Sequence, residues 1–294
     1  MFFSKPAPAP ASLTRVAVIG TSPLAFFLAD VLQNNCCAVT ILMAANRLNA
    51  YTRRGSLNVK LSNFQNRHAS FSFAAKLDSA ADFVFIASSP EDSRNDLLLL
   101  QDPLLKSAPL INLSSFYNRR IISQFNKSDI PAYFNGWLNL EKNSLHLLER
   151  SPVLELCCDA ETAVTIKALF ADSPVSLTFP APSPNLFWQH LAPFLLGNLL
   201  VLSAGRDISS VLLQNDIRRQ TDTAVNELCK LAKAEKVSLD PANILPRLYA
   251  FPDNYQSEFS SPQSFAALSA LIPGINRFDT PALYGFLANA AKKY

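Results

Sequence analysis

Near its amino terminus the chain reads as a strand, a tight turn and a helix in direct succession. Arg15–Gly20 is a short β-branched run that ends in glycine, and Thr21–Leu32 places apolar residues at helical spacing. Ser22 is expected to cap this helix and Pro23 to stand in its first turn, where a missing N–H costs nothing. A second apolar run, Cys37–Met43, completes a βαβ unit with a right-handed crossover. These elements commit the chain to an α/β fold.

Later apolar runs predict that the βαβ unit extends into a larger parallel sheet, with a more mixed section at its end. The helix predicted among them covers Ala160–Ala171, and all the later strands are expected to complete the same sheet. The predicted strands are Ser70–Ala74, Phe83–Ala87, Pro109–Leu113, Ala132–Phe134, Leu145–Leu148, Val153–Cys157 and Val175–Phe179.

A proline-rich segment, residues 180–184, separates this region from one in which helical patterns dominate. Three of its five residues are proline, which neither a helix interior nor a central strand tolerates. The predicted helices beyond it are Asn185–Ala204, Ser209–Lys236, Pro241–Ala250, Ser261–Leu271 and Thr280–Lys292. We therefore expect an extended tail at 1–14, an α/β domain at 15–179, a linker at 180–184 and an all-α domain at 185–294.

Charge and hydropathy exclude two classes of partner. The 26 basic and 23 acidic residues are scattered along the chain, whereas proteins that bind nucleic acid cluster Lys and Arg on one face. The most apolar run, Leu186–Ala204, contains Gln189, His190, Pro193 and Asn198, so it is expected to be a helix buried in protein. We predict neither a nucleic-acid partner nor a membrane span.

The cysteines and histidines indicate the compartment and the absence of a metal. Five cysteines, four of them in adjacent pairs, do not resemble a disulfide framework and are expected to be reduced thiols in the cytoplasm. The three histidines, His68, His146 and His190, lie far apart and predict no metal site. The 21 phenylalanines are compatible with a homodimer without requiring one.

The first helix after the linker has a recognisable pattern. It reads Trp188-x-His190-Leu191-x-x-Phe194-x-x-x-Asn198, and a Ser260-Ser261 pair and a Thr280-Pro281 step follow it. Together with the order of the two domains, this resembles the ketopantoate reductase (2-dehydropantoate 2-reductase) family over nearly the whole chain. The resemblance implies a Rossmann-type NAD(P)-binding domain, followed by a helical domain like the carboxyl-terminal part of 6-phosphogluconate dehydrogenase. It also implies NADPH-dependent reduction of a 2-oxo acid such as 2-dehydropantoate, a step of pantothenate biosynthesis.

The resemblance places the cofactor on the turn after the first strand. There the family has GxGxxG, and this chain has Gly20, Thr21, Ser22, Pro23, Leu24 and Ala25. We expect Gly20, Thr21, Ser22 and Leu24 to be the contacts to NADP(H). Ser22 adds a side chain where the backbone must approach the phosphates, and Pro23 removes a donor. Any nucleotide is therefore expected to bind weakly or not at all.

Other positions implied by the resemblance have also changed. Ser89 stands where the family has a cofactor-binding Lys, Ser115 stands where it has the Asn of an Asn-Gly turn, and the resemblance implies that both contact any cofactor. Ala44 takes the place of the Arg that receives the 2′-phosphate of NADPH, with Arg47 three residues on. Most of the cofactor contacts expected from the family are thus absent.

The residues implied for catalysis are altered as well. His190 replaces the Lys that donates a proton, and Asn198 matches the second Asn of the helix motif. Ser260 and Ser261 are the expected substrate contacts. No acidic residue lies between Ser261 and Arg277, so the family's Glu has no counterpart and we expect no carboxylate at the reducing centre.

Three functions remain open from the sequence. The first is a working NADP(H)-dependent oxidoreductase on a different small 2-oxo acid, with His190 as proton donor. The second, which the departures favour, is a catalytically silent relative that keeps the scaffold for binding a ligand or a partner protein. The third is a structural subunit whose apolar helices form a homodimer.

Overall fold

The structure is a computed structural model. It describes residues 13–61, 66–89, 92–114, 122, 129–148, 151–204, 212–249, 251, 281–283 and 285.

The described residues contain twelve strands and seven α-helices. The strands are β1 (Arg15–Ile19), β2 (Ala38–Leu42), β3 (Ser56–Lys60), β4 (Asn66–Ser70), β5 (Ser72–Ala74), β6 (Phe83–Ile86), β7 (Leu110–Asn112), β8 (Ile130–Asn135), β9 (Leu138–Glu141), β10 (Ser144–Leu147), β11 (Val153–Leu156) and β12 (Ser176–Thr178). The helices are α1 (Pro23–Asn34), α2 (Ala45–Arg54), α3 (Ser93–Asp96), α4 (Ala160–Leu169), α5 (Pro184–Ala204), α6 (Asn215–Ala234) and α7 (Pro241–Tyr249). Two 3-10 turns, Leu97–Gln101 and Pro103–Leu105, follow α3.

Eight of the strands form one central sheet in the order β12-β11-β8-β7-β6-β1-β2-β5. β1 is parallel to β2 on one side and to β6 on the other, so the predicted βαβ unit and the Rossmann-type core are confirmed. In this sheet the pair β8 and β11 is antiparallel and the other neighbouring pairs are parallel, so this end of the sheet is mixed. The carboxyl ends of β1, β2 and β6 therefore meet at one edge, where a Rossmann fold places ligands.

A second, four-stranded sheet, in the order β4-β3-β10-β9, corrects two predictions. Leu145–Leu148 was expected in the central sheet, but Leu145 pairs with Val59 of β3. Ser70–Ala74 was expected to be one strand, but the chain leaves the second sheet after Ser70 and enters the central one at Ser72. Alternating apolar residues specify a buried face and not which sheet supplies it, so the local pattern does not distinguish the two.

Helix α1 lies between the two sheets and is buried on both sides. All eight residues from Ala25 to Leu32 are buried, including the acidic Asp30. Arg67 of β4 donates from Nε to both carboxylate oxygens of Asp30, at 3.0 and 2.9 Å. Burial raises the pKa of Asp30, and the neighbouring guanidinium opposes that shift. A buried charge on α1 is thus paired with the second sheet, and this ion pair connects the two sheets through α1.

The helical region has its own core around α5. Gly197 lets the ring of Phe251 lie directly against this helix, because a Cβ at that position would be 1.7 Å from the ring. By length and composition the segment Pro184–Leu202 would suffice to cross a membrane, yet 72% of it is buried against the rest of the protein. Among the described residues, α5 therefore behaves as the core helix that the sequence predicts.

The remaining helix predictions are partly tested. α4 and α7 match the predicted segments, and α6 begins at Asn215, later than the expected Ser209. Helix α2 was not anticipated. The helix expected over Ser261–Leu271 lies outside the described residues, and of the last predicted helix only 281–283 and 285 are described, all helical. The boundary at 180–184 stays a prediction.

The close contact between Gly20 and Ala87, which positions the carboxyl edge of the central sheet, can be tested by substitution. Its φ is +122°, and a Cβ there would lie 2.5 Å from the carbonyl oxygen of Ala87. Gly20→Ala is expected to lower the free energy of unfolding by roughly 3 kcal/mol or more, because both backbone strain and a clash result. Gly55 is the matched control: its φ is +65°, but the nearest atom would be 3.7 Å away. Gly55→Ala should cost less, roughly 1–2 kcal/mol, because its backbone strain comes without a clash. Urea denaturation of both variants checks this, and equal losses would contradict it.

Candidate functional site

The turn after β1 is held together by its own hydrogen bonds. The Ser22 hydroxyl donates to the Ala87 carbonyl at 2.6 Å and accepts from the Ala25 N–H at 3.2 Å. This confirms Ser22 as the cap of α1, with Pro23 in the first turn. Leu24 packs against the hydrophobic core that α1 shares with the two sheets. The Ser22 side chain therefore points to the end of β6, and one donor of the first turn, the N–H of Ala25, is already used.

Thr21, next in the turn, belongs to an ion cluster. Arg47, in the first turn of α2, donates to the Thr21 hydroxyl at 3.0 Å and forms ion pairs with Asp92 and Asp96. Asp92 also lies 3.5 Å from the Thr21 hydroxyl. Ser89 donates to the Asp92 carboxylate at 3.0 Å and accepts from the Asp92 N–H at 3.3 Å. Two of the residues predicted to contact the cofactor, Thr21 and Ser89, thus both contact Asp92.

Asp96 is the most buried member of this cluster. It has no exposed surface, and burial raises its pKa to about 6 although Arg47 opposes the shift. Ser88 faces this carboxyl, yet Oδ2 of Asp96 and Oγ of Ser88 are both buried without a well-formed hydrogen bond. A proton on Oδ2 would supply that bond, because a neutral carboxyl donates where a carboxylate only accepts.

The cluster does not suit the pyrophosphate of a dinucleotide. A phosphate at a helix N-terminus is stabilised by N–H donors and by the positive end of the helix dipole. Here two carboxylates stand at the same edge, and the guanidinium of Arg47 already binds both. We find that the residues present at this turn do not fit NADP(H).

A second group of polar residues surrounds His190 on α5. The imidazole is 6% exposed, lies flat on the ring of Tyr133 at 4.5 Å between centroids, and has Nε2 3.4 Å from a carboxylate oxygen of Glu155. A carboxylate from β11, Glu155, thus lies beside His190, and the sequence did not predict this contact. Tyr133 and Glu155 are cross-strand partners in β8 and β11, so their side chains lie on one face of the sheet and meet α5 there.

A proline in α5 completes this group. Pro193 has no N–H to donate to the carbonyl of Gln189, one turn earlier, and Arg247 of α7 donates to that carbonyl at 3.0 Å instead. Arg247 also donates to the side-chain carbonyl of Asn135, whose amide donates to Glu155. The His190–Glu155 pair is thus linked through Asn135 and Arg247 back to the residue preceding His190.

Burial keeps the His190 imidazole uncharged near neutral pH. Burial lowers the pKa of His190, while the hydrogen bond and charge of Glu155 act in the opposite direction and Arg247 lowers it further. The pKa of Glu155 is lowered, chiefly by its hydrogen bond to His190. At pH 7 the group holds a carboxylate, a guanidinium and an uncharged imidazole, so His190 is a poor proton donor there.

The other predicted site residues are separate or outside the described part. Asn198 is fully buried two turns beyond His190, roughly 12 Å along the helix, and its amide donates to the Phe194 carbonyl at 2.9 Å. Ser115, Ser260 and Ser261 lie outside the described residues. The structure therefore places Gly20, Thr21, Ser22 and Ser89 together and His190 elsewhere. β8, which carries Tyr133, is three strand spacings or roughly 14 Å from β1.

Sequence reasoning missed four charged residues of these two groups. Asp92 and Asp96 stand four residues apart, which places them on one side of a helical turn beside Ser89. Glu155 is an acid in an otherwise apolar strand, and Arg247 is a cation in an apolar helix. These are signals of buried charge, but none indicates which partner is reached. No group of residues suited to a metal occurs in the described parts of the chain.

The buried carboxyl of Asp96 predicts a pH-dependent stability. Because its folded pKa of about 6 exceeds the ordinary value of 3.8, its contribution is full below pH 3.8 and is lost as pH rises through 6. Asp96→Asn should remove that dependence, worth roughly 3 kcal/mol in the unfolding free energy between these limits. Urea denaturation at a series of pH values measures the slope in both proteins. An unchanged slope in Asp96→Asn would contradict the assignment.

Two substitutions around His190 should shift its pKa in opposite directions. Glu155→Gln removes the carboxylate that favours the imidazolium and should lower the pKa of His190. Arg247→Met removes a nearby positive charge and should raise it. The chain has only three histidines, so NMR titration of the ring resonances follows each of them, with His68 and His146 as internal controls. A shift in the same direction in both variants would refute this electrostatic account.

Comparison with known proteins identifies the fold. No protein-family model and no curated protein matches the sequence. The structure of 2-dehydropantoate 2-reductase from Geobacter metallireducens superimposes with a TM-score of 0.80 at 15% identity, over 95% of this chain and 100% of that one. D-mandelate dehydrogenase with NADH and anilino(oxo)acetate gives a TM-score of 0.78 at 15% identity, over 95% of this chain and 98% of that one.

A further structure is the dimeric ketopantoate reductase of Staphylococcus aureus. It has a TM-score of 0.71 at 15% identity and is covered over 98% of its length by 95% of this chain. These structures share the fold over nearly the entire chain at an identity too low to carry residue roles across. The chain has the fold of the ketopantoate reductases, as the sequence resemblance implied.

Proposed function

We propose that this chain derives from nicotinamide-dependent oxidoreductases of the ketopantoate reductase type and is catalytically silent. It keeps the two-part scaffold for binding a ligand or a partner protein. The observation that carries the proposal is the ion cluster of Arg47, Asp92 and Asp96 on Thr21, at the place where this fold binds a dinucleotide.

The surroundings of His190 support the same proposal. A histidine that donates a proton to a developing alkoxide must be in its charged form and must reach the substrate. His190 is buried between Tyr133 and Glu155, and burial lowers its pKa. Both halves of the reductase machinery are thus occupied by contacts within the chain.

One observation favours a second candidate function, an active NADP(H)-dependent oxidoreductase on a small 2-oxo acid. The carboxylate of Glu155 holds the His190 ring and favours its charged form, which is the usual arrangement around a histidine that acts as an acid. In that case Glu155 would orient His190, and substrate binding would have to expose the imidazole.

We further propose a homodimer in the cytoplasm. The ketopantoate reductase of Staphylococcus aureus is dimeric, which supports the same assembly here. All five cysteines are free thiols, as suits a reducing compartment. Sedimentation of the purified protein tests the assembly.

The proposed function predicts that nicotinamide cofactors leave the protein unaffected. A reductase with a dissociation constant of about 10 μM would gain roughly 2.7 kcal/mol of stability at about 1 mM cofactor, a clear rise in melting temperature. We expect no shift with NADPH or NADH, while a ketopantoate reductase in the same buffer shows one.

The second candidate predicts the opposite result. NADPH would raise the melting temperature, and 2-oxo acids would drive a loss of NADPH absorbance. His190→Gln should abolish that turnover while keeping a polar side chain beside Glu155. Turnover in the wild type that is lost in this variant would overturn the proposal of a silent protein.

A further inference from the structure

The ion cluster at the turn after β1 has one cation and two anions, and the anions are anchored. Asp92 is fixed by reciprocal hydrogen bonds with Ser89, and Asp96 is fully buried. Arg47 is the partner that both carboxylates share, and its side chain, 20% exposed, extends to them from the first turn of α2. The carboxylates therefore determine where the guanidinium lies.

The position of Arg47 affects whether an anion can bind at the amino end of α1. Its guanidinium donates to the hydroxyl of Thr21, which directly follows Gly20, so it stands at the amino end of α1. Without the two carboxylates, a guanidinium and a helix N-terminus would together favour an anion at this point. With both carboxylates ionised the cluster has a formal charge of −1.

We propose that Asp92 and Asp96 determine the ligand specificity of this turn. By binding Arg47 they exclude phosphate groups, and the nucleotides that carry them, from an otherwise usable anion site. This inference rests on the proposed function, because it names the residues that prevent the cofactor from binding. Neutralising them should restore phosphate binding in an unaltered fold.

Replacing the carboxylates by amides is the direct test. Asp92→Asn and the double variant Asp92→Asn/Asp96→Asn keep the shape of both side chains and remove the negative charges. Calorimetry at low salt then measures affinity for NADPH and for inorganic pyrophosphate. The double variant should bind both at least about tenfold more tightly than the wild type, because a like charge against a bound ion costs that much or more.

Two controls isolate the mechanism. Asp82→Asn changes net charge equally at the opposite edge of the sheet, where Asp82 is exposed and accepts from the Arg15 N–H at 2.8 Å, and it should leave affinity unchanged. Adding Arg47→Gln to the double variant should return affinity to the wild-type level, because the freed cation is then lost.

The outcomes separate this inference from the proposed function. Tight NADPH binding by the wild type would overturn the proposed function, while the ratio between variant and wild type still tests the role of the aspartates. A folded double variant with wild-type affinity overturns the inference. So does an equal gain in Asp82→Asn, or a gain that survives the loss of Arg47. If the double variant does not fold, Asp92→Asn alone must show a gain, because it leaves the buried Asp96 intact.

Discussion

The close approach of Gly20 to the end of β6 is the contact on which this edge of the sheet depends. With no side chain at Gly20, its Cα lies against the backbone of Ala87 and Ser88, and the Ser22 hydroxyl bonds to the same Ala87 carbonyl. Ser89 and Asp92 follow directly in the chain and so reach the turn after β1. The positive φ of Gly20 and this backbone packing both require glycine here, independently of any cofactor.

The ion cluster at the turn after β1 and the polar group around His190 share one physical character. Arg47 binds Asp92 and Asp96 directly, whereas Arg247 reaches Glu155 through the side chain of Asn135. Desolvated ions are costly unless paired, and in both groups the charges are compensated from within the chain. Chemistry that depends on an external ligand would first have to displace these internal partners.

The sequence predicted the fold well because local signals were strong. Ser22 and Pro23 define where α1 begins, and the runs at β1, β2 and β6 are apolar enough for a buried parallel sheet. The sequence did not predict contacts between residues that are far apart along the chain. Leu145 alternates with polar residues equally well in either sheet, and nothing local joins Glu155 to His190, which is 35 residues further along the chain. The sequence analysis considered Arg47 but not its partners Asp92 and Asp96. These residues follow β2 and β6, which come close together only because both strands pair with β1.

The burial of α1 between two sheets affects how the α/β region unfolds. Either sheet can separate from α1 only by exposing an apolar helix face, and on the β4 side the charge of Asp30 would also lose Arg67. Such a layer unfolds as a single cooperative unit, so its backbone amides should be among the slowest in the protein to exchange with solvent. The small second sheet therefore helps to protect the α/β core against local unfolding.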